Sequence, residues 1–134
     1  WIRTNDRLID QARAAIGENK FPLFVAEGTS TQKKSKIRHN AYLYQGFKQL
    51  TANVQQRGCC FFVYGHSLAD NDDHILQRIG KGKFKKLYIS LYGDPESADN
   101  QAIVAKAEAL AALRHASYPL ELAFYDAGNA NVWG

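Results

Sequence analysis

The sequence predicts an α/β domain: a Rossmann-like three-layer sandwich with a mostly parallel sheet of about four strands. Two observations predict it. Four short apolar runs, at residues 21–26, 59–64, 87–91 and 120–125, have the continuous hydrophobicity of strands covered on both sides. Between the runs, apolar residues recur at intervals of three and four, the period of a helix. Strand and helix alternate four times and three times, the order that right-handed crossovers wind into a parallel sheet with cover on both faces.

Each element follows from its residues. The 134 residues fit one domain, 1–134, whose residues 1–20 read as a helix and a linker. Leu8, Ile9, Ala12, Ala15 and Ile16 stand at helical spacing, and Gly17 stops the helix. The run at 21–26 is a strand ending in the turn Glu27-Gly28. Thr29, Ser30 and Thr31 supply N-cap oxygens, and Ile37, Ala41, Tyr44, Phe47, Leu50 and Val54 then mark one long helix closed by Gly58. The run at 59–64 is apolar throughout, which places it at the centre of the sheet with Phe62 in the core. A short helix over 72–79 begins with acidic residues, where the macrodipole favours them. Tyr92-Gly93-Asp94-Pro95 ends the third strand and introduces an Ala-rich helix over 98–115.

Composition narrows the function. The chain is 46% hydrophobic, enough for a core, and has no apolar run near the roughly 18 residues that span a bilayer. With no secretory leader either, a cytoplasmic protein without a membrane partner is expected. It begins at Trp1 and contains no Met, so it reads as a fragment whose upstream remainder is a partner. Cys59 and Cys60 are adjacent and point to opposite faces of a strand, which argues for small buried hydrophobes in a reduced compartment. The net charge is +4, with cations clustered at 33–38 and 81–86. The first cluster has no aromatic residue and the second only Phe84, so both read as solvated faces and nucleic acid is disfavoured as a partner.

In parallel sheets, ligands sit outside the carboxyl ends of the strands. Four polar turns converge there as a crest: Glu27-Gly28-Thr29, Gly65-His66-Ser67, Tyr92-Gly93-Asp94 and Asp126-Ala127-Gly128-Asn129. The densest polar stretch runs from Gly65 through Asp70, Asp72 and Asp73 to His74. Glycine admits a close backbone approach, and the Ser67 hydroxyl and nearby amides suit phosphate or ribose oxygens. The same residues also read as a tight turn with helix-capping aspartates. A third reading is a nucleophile elbow, Gly65-His66-Ser67-Leu68-Ala69, with Ser67 as the nucleophile of a serine hydrolase and Ala69 replacing the usual glycine. A metal site drawn from His66, Asp70, Asp72, Asp73 and His74 meets no recognised ligand spacing.

Specific segments carry a resemblance. They are Val25-Ala26-Glu27-Gly28-Thr29-Ser30-Thr31-Gln32-Lys33, then Ile37, Asn40 and Tyr42-Leu43, then Tyr64-Gly65-His66-Ser67-Leu68-Ala69-Asp70-Asn71-Asp72, and the ending from Tyr125-Asp126 to Val132-Trp133-Gly134. Together they resemble the C-terminal part of an uncharacterised bacterial family grouped with sirtuin-like NAD-binding domains. The resemblance implies a fragment of a larger sirtuin-like domain and NAD or a related nucleotide as the cofactor. Gly65, Ser67 and Leu68 match a sirtuin Gly-Thr-Ser-Leu turn that touches the NAD ribose and phosphate region, with His66 in place of threonine. Glu27, Gly28, Asp70, Asp72 and Asp126 complete the expected binding set along the crest. The glycine-rich pyrophosphate loop and the catalytic histidine of sirtuins lie N-terminal to the matching region, so this chain alone is not expected to turn over NAD. The alternative is a noncatalytic protein-interaction module.

Overall fold

A computed structural model describes residues 8–19, 28–130 and 132. Helix α1, Leu8–Gly17, forms where the apolar spacing and Gly17 predict it. The expected strand at 21–26 and the candidate Glu27 lie outside the described residues.

The single long helix expected after Thr29 is two helices. Helix α2, Ser30–Arg38, starts with a capping box: the Thr29 hydroxyl accepts from the Gln32 amide, and the Gln32 side chain accepts from the Thr29 amide at 2.9 Å. Asn40 is extended, and its side-chain oxygen accepts from the Leu43 amide at 3.1 Å, beginning helix α3, Ala41–Asn53. An asparagine that offers its own acceptor to the backbone competes with helix continuation, and here it wins.

Strands β1, Cys60–Val63, β2, Lys86–Leu91, and β3, Glu121–Asp126, form a parallel sheet in the order β1-β2-β3, with Phe62 beside Tyr88 and Tyr88 beside Ala123. A 3-10 turn, Asp70–Asp72, leads into helix α4, Asp73–Gly80, between β1 and β2. Helix α5, Ala98–Ala112, joins β2 to β3. It ends three residues before the expected His115, and Arg114 instead turns back to donate to the carbonyls of Gly82 and Phe84.

Strand order follows chain order, so right-handed crossovers carry α4 and α5 to the same face. Leu87 and Ile89 on that face pack with Leu76 and Ile79 of α4 and with Ala107 and Leu110 of α5, all buried. The opposite face carries Phe62, Tyr88 and Tyr125. Phe62 is 69% exposed, its ring stacked on Tyr88 at 4.5 Å between centroids. Two expectations change accordingly. Among the described residues, β2 rather than β1 is the central strand, and the arrangement is two layers of three strands and helices with one sheet face largely open. An apolar run cannot tell burial from an uncovered face; the direction of strand order decides it. Among the described residues, no helix is long and apolar enough to cross a membrane.

Candidate functional site

The carboxyl edge of the sheet gathers the residues that the sequence singles out. Gly65 follows β1 with φ +62°, a left-handed conformation that suits glycine, and its amide donates to the Ser90 hydroxyl on β2 at 2.9 Å. Two tyrosines tie the outer strand ends across β2. Tyr125 donates to the Val63 carbonyl at 3.2 Å, and Tyr64 donates to the Ala127 carbonyl at 3.4 Å.

His66 bridges the turn to the helix start. The Leu68 amide donates to His66 Nδ1 at 2.8 Å, which leaves Nε2 as the protonated nitrogen facing Asp72 Oδ2 at 3.1 Å. The other oxygen of Asp72 accepts from Lys33 Nζ at 2.8 Å. Lys33 comes from α2 and is only 5% exposed, so this cation is buried on its partner rather than solvated with its cluster. Burial alone raises the Asp72 carboxyl, but Lys33 and then His66 more than offset it, and the group titrates below the ordinary carboxylate range. Asp70 and Asp73 are met from α5 by Lys106 at 2.5 and 3.0 Å. Hydrogen bonding to these two carboxylates holds the Lys106 ammonium above its ordinary value.

The remaining candidates separate by environment. Leu68 has φ +54° and a side chain 1% exposed, packed in the core. Ser67 is exposed. Asp126 accepts from the Gly128 amide at 2.8 Å, closing the turn after β3. Gly28 is exposed just ahead of α2, the helix whose Ser30 meets the start of α4.

The hydrolase reading loses its geometry. A nucleophile elbow strains the nucleophile's own turn position, whereas the left-handed residues here are Gly65 and Leu68. Both ring nitrogens of His66 are engaged by Leu68 and Asp72, and among the described residues no hydrogen bond joins Ser67 to a histidine. Among the described residues, no group of three or more His, Cys, Asp or Glu side chains is placed to hold a metal ion.

A cavity that the sequence reading missed opens beside this edge, between α2 and α4. It encloses about 680 Å³, and Ser30, Thr31, Lys34, Arg38, His74 and Gln77 are among its walls. The Ser30 hydroxyl accepts from the His74 amide at 2.8 Å and lies 3.2 Å from His74 Nδ1. With its hydrogen donated to Nδ1, Nε2 carries the ring proton. Burial first, together with Lys33 and Lys34, outweighs Asp72 and Asp73 and keeps His74 below its ordinary 6.5, hence neutral near pH 7. Among the described residues, no carboxylate lines the cavity and neither Lys34 nor Arg38 has an ion-pair partner. The walls are therefore rich in donors, the composition that receives an anion. The signal was present in the sequence as the Thr29-Ser30-Thr31 cap followed by Lys33-Lys34, but the pairing of α2 with α4 across 44 positions was not.

The chain belongs to the family described as a domain of unknown function, DUF4917, whose model matches residues 2–133. No curated protein and no solved structure matches it.

Proposed function

We propose that this member of the DUF4917 family binds a phosphate-bearing nucleotide of the NAD type. Its phosphates sit in the cavity between α2 and α4, and its ribose faces the crest at Gly65-His66-Ser67. The observation that carries the reading is a cavity about 680 Å³ in volume, within the range of small-molecule sites, whose wall is rich in donors and, among the described residues, free of carboxylates. The placement avoids a difficulty of the crest itself, where Asp70 and Asp72 would repel a pyrophosphate laid over them. Those carboxylates are already joined to Lys106, Lys33 and His66. They hold the turn in shape, while the exposed Ser67 remains for the ligand. A fourth strand at 21–26 ending at Glu27-Gly28, a Rossmann-like sandwich and a sirtuin-like parent in the cytoplasm belong to the same reading.

Calorimetric titration of the protein with NAD and with ADP-ribose tests it. Saturable heat is expected from at least one ligand. Lys34→Glu combined with Arg38→Glu is expected to weaken binding by about tenfold or more, equivalent to about 1.4 kcal/mol. No heat from either ligand, with the protein folded by circular dichroism, removes the nucleotide. Binding unmoved by the double reversal removes the cavity.

The open sheet face favours a second reading, a noncatalytic protein-interaction module. Phe62 stacked on Tyr88 is an exposed aromatic surface of the kind enriched where proteins meet.

A further inference from the structure

We infer that the amino edge of the sheet, at the opposite end from the cavity, is a separate binding surface for the phosphate backbone of nucleic acid. The loops entering β1, β2 and β3 meet there. They and the strand starts carry Arg57, Lys81, Lys83, Lys85 and Lys86, against the one carboxylate of Glu121, while Arg114 turns inward with its Nε and Nη2 buried. Glu121 is taken by Lys86 at 2.9 Å. Among the described residues, no ion pair involves the other four cations.

These charges are presented on a fixed frame. The Val54 carbonyl accepts from the amides of both Lys83 and Phe84, at 2.6 and 3.2 Å, and the Cys59 carbonyl accepts from Lys85 at 3.1 Å. Arg114 ties the carbonyls of Gly82 and Phe84 from the other side. A Cβ on Gly82 would stand 2.6 Å from the Val54 carbonyl oxygen, so the loop lies as close as glycine permits. Phe84 anchors it in the core, fully buried. The lysines at 81, 83 and 85 are exposed, held by backbone contacts rather than by charge pairing.

The fold also supplies the aromatic residue that the lysine cluster lacks in sequence. Tyr118 is brought beside Lys83, whose ammonium lies 5.3 Å from the ring centroid, and beside Arg57, whose guanidinium lies 4.7 Å from it and donates to the hydroxyl at 2.6 Å. A hollow of about 390 Å³ opens next to the ring, walled by Lys81, Lys83, Leu113, His115 and Tyr118. Cations interleaved with an aromatic ring along a concave edge suit alternating phosphates and bases. Two successive loops contribute the exposed cations and the third contributes Tyr118, a spread that matches a row of phosphates better than a single one. Leu113 is the large hydrophobic residue exposed there, which gives a lipid surface little to insert around.

Fluorescence anisotropy with labelled single-stranded RNA, single-stranded DNA and duplex DNA of about 20 nucleotides tests the surface at salt between about 50 and 200 mM. Binding is expected to weaken tenfold or more across that range. Lys81→Glu with Lys83→Glu is expected to lower affinity about tenfold or more, and Arg57→Glu to lower it in the same direction. Lys34→Glu with Arg38→Glu is expected to leave it unchanged, which separates this surface from the nucleotide cavity. All these side chains are exposed or half-buried, and circular dichroism checks that the variants fold. No binding at the low salt, indifference to the amino-edge reversals, or a loss caused only by the α2 reversals overturns the inference. Displacement of the oligonucleotide by equimolar pyrophosphate also overturns it, by assigning the hollow to a small phosphate.

Discussion

At the carboxyl edge of the sheet, Asp70, Asp72 and Asp73 crowd the start of α4, and each is met by an ammonium group carried in on another helix. At the amino edge the sign is reversed and, beyond the Lys86–Glu121 pair, no counter-charge arrives among the described residues: Arg57, Lys81, Lys83 and Lys85 stand exposed on loops fastened by backbone hydrogen bonds. One edge uses its cluster of like charges to hold its shape, and the other holds its shape while leaving the lysines at 81, 83 and 85 unpaired among the described residues. The contrast teaches that a run of like charges in a sequence does not reveal whether it is consumed. That depends on groups 33 to 39 positions away, such as Lys33 for Asp72 and Lys106 for Asp73.

The largest expected effect lies at the carboxyl edge. Asp72→Ala leaves the buried Lys33 ammonium without its partner and should cost roughly 3 kcal/mol in urea melts. A loss below about 1 kcal/mol would mean that the acids there are as dispensable as the lysines opposite. Next, Gly82→Ala pushes a Cβ against the Val54 carbonyl and should cost roughly 1 to 3 kcal/mol, testing whether backbone contact holds the amino edge. Normal stability would show that the loop yields.

A smaller effect follows from protons. The folded His74 titrates below the 6.5 of the unfolded chain, so between those values the unfolded chain binds the proton and the folded one does not. Stability from this group is complete above about pH 6.5 and falls as pH drops through the window beneath it. The urea midpoint should decline between about pH 7.5 and 5.5, and His74→Asn should flatten that decline; equal slopes in the two proteins would deny His74 the role. The least effect is expected from Lys83→Ala, within about 0.5 kcal/mol. A larger loss would show that the amino-edge cations are structural after all, and the contrast between the edges would disappear.

Much of the architecture was legible because it rests on local pattern. The apolar runs before Gly65, before Tyr92 and before Asp126 are strands within a residue or so of their expected bounds, and all are parallel. The break between α2 and α3 was legible in principle, since Asn40 is a strong N-cap, but the apolar period runs through it and masks it. The exposure of Phe62 was not legible: Cys60 through Val63 looks the same whether or not a layer covers its second face. Of the site, the turns after β1, β2 and β3 were placed at one edge by alternation alone, whereas the cavity requires α2 to lie on α4. Arg57 meets Tyr118 across 61 positions, and no local pattern announces such a meeting.

The doubly engaged carbonyl of Val54 has a consequence for motion. Irregular segments usually exchange their amide hydrogens quickly, because little protects them from water. The Lys83 and Phe84 amides are irregular in path yet bonded like a ladder, with Val54 and Phe84 fully buried beneath them. In deuterated water these two amides should exchange on the slow timescale of β2, opening only when the end of α3 detaches from the sheet. The loop between α4 and β2 is thus part of the last unit to open, and the lysines it carries hold their positions for as long as the core does.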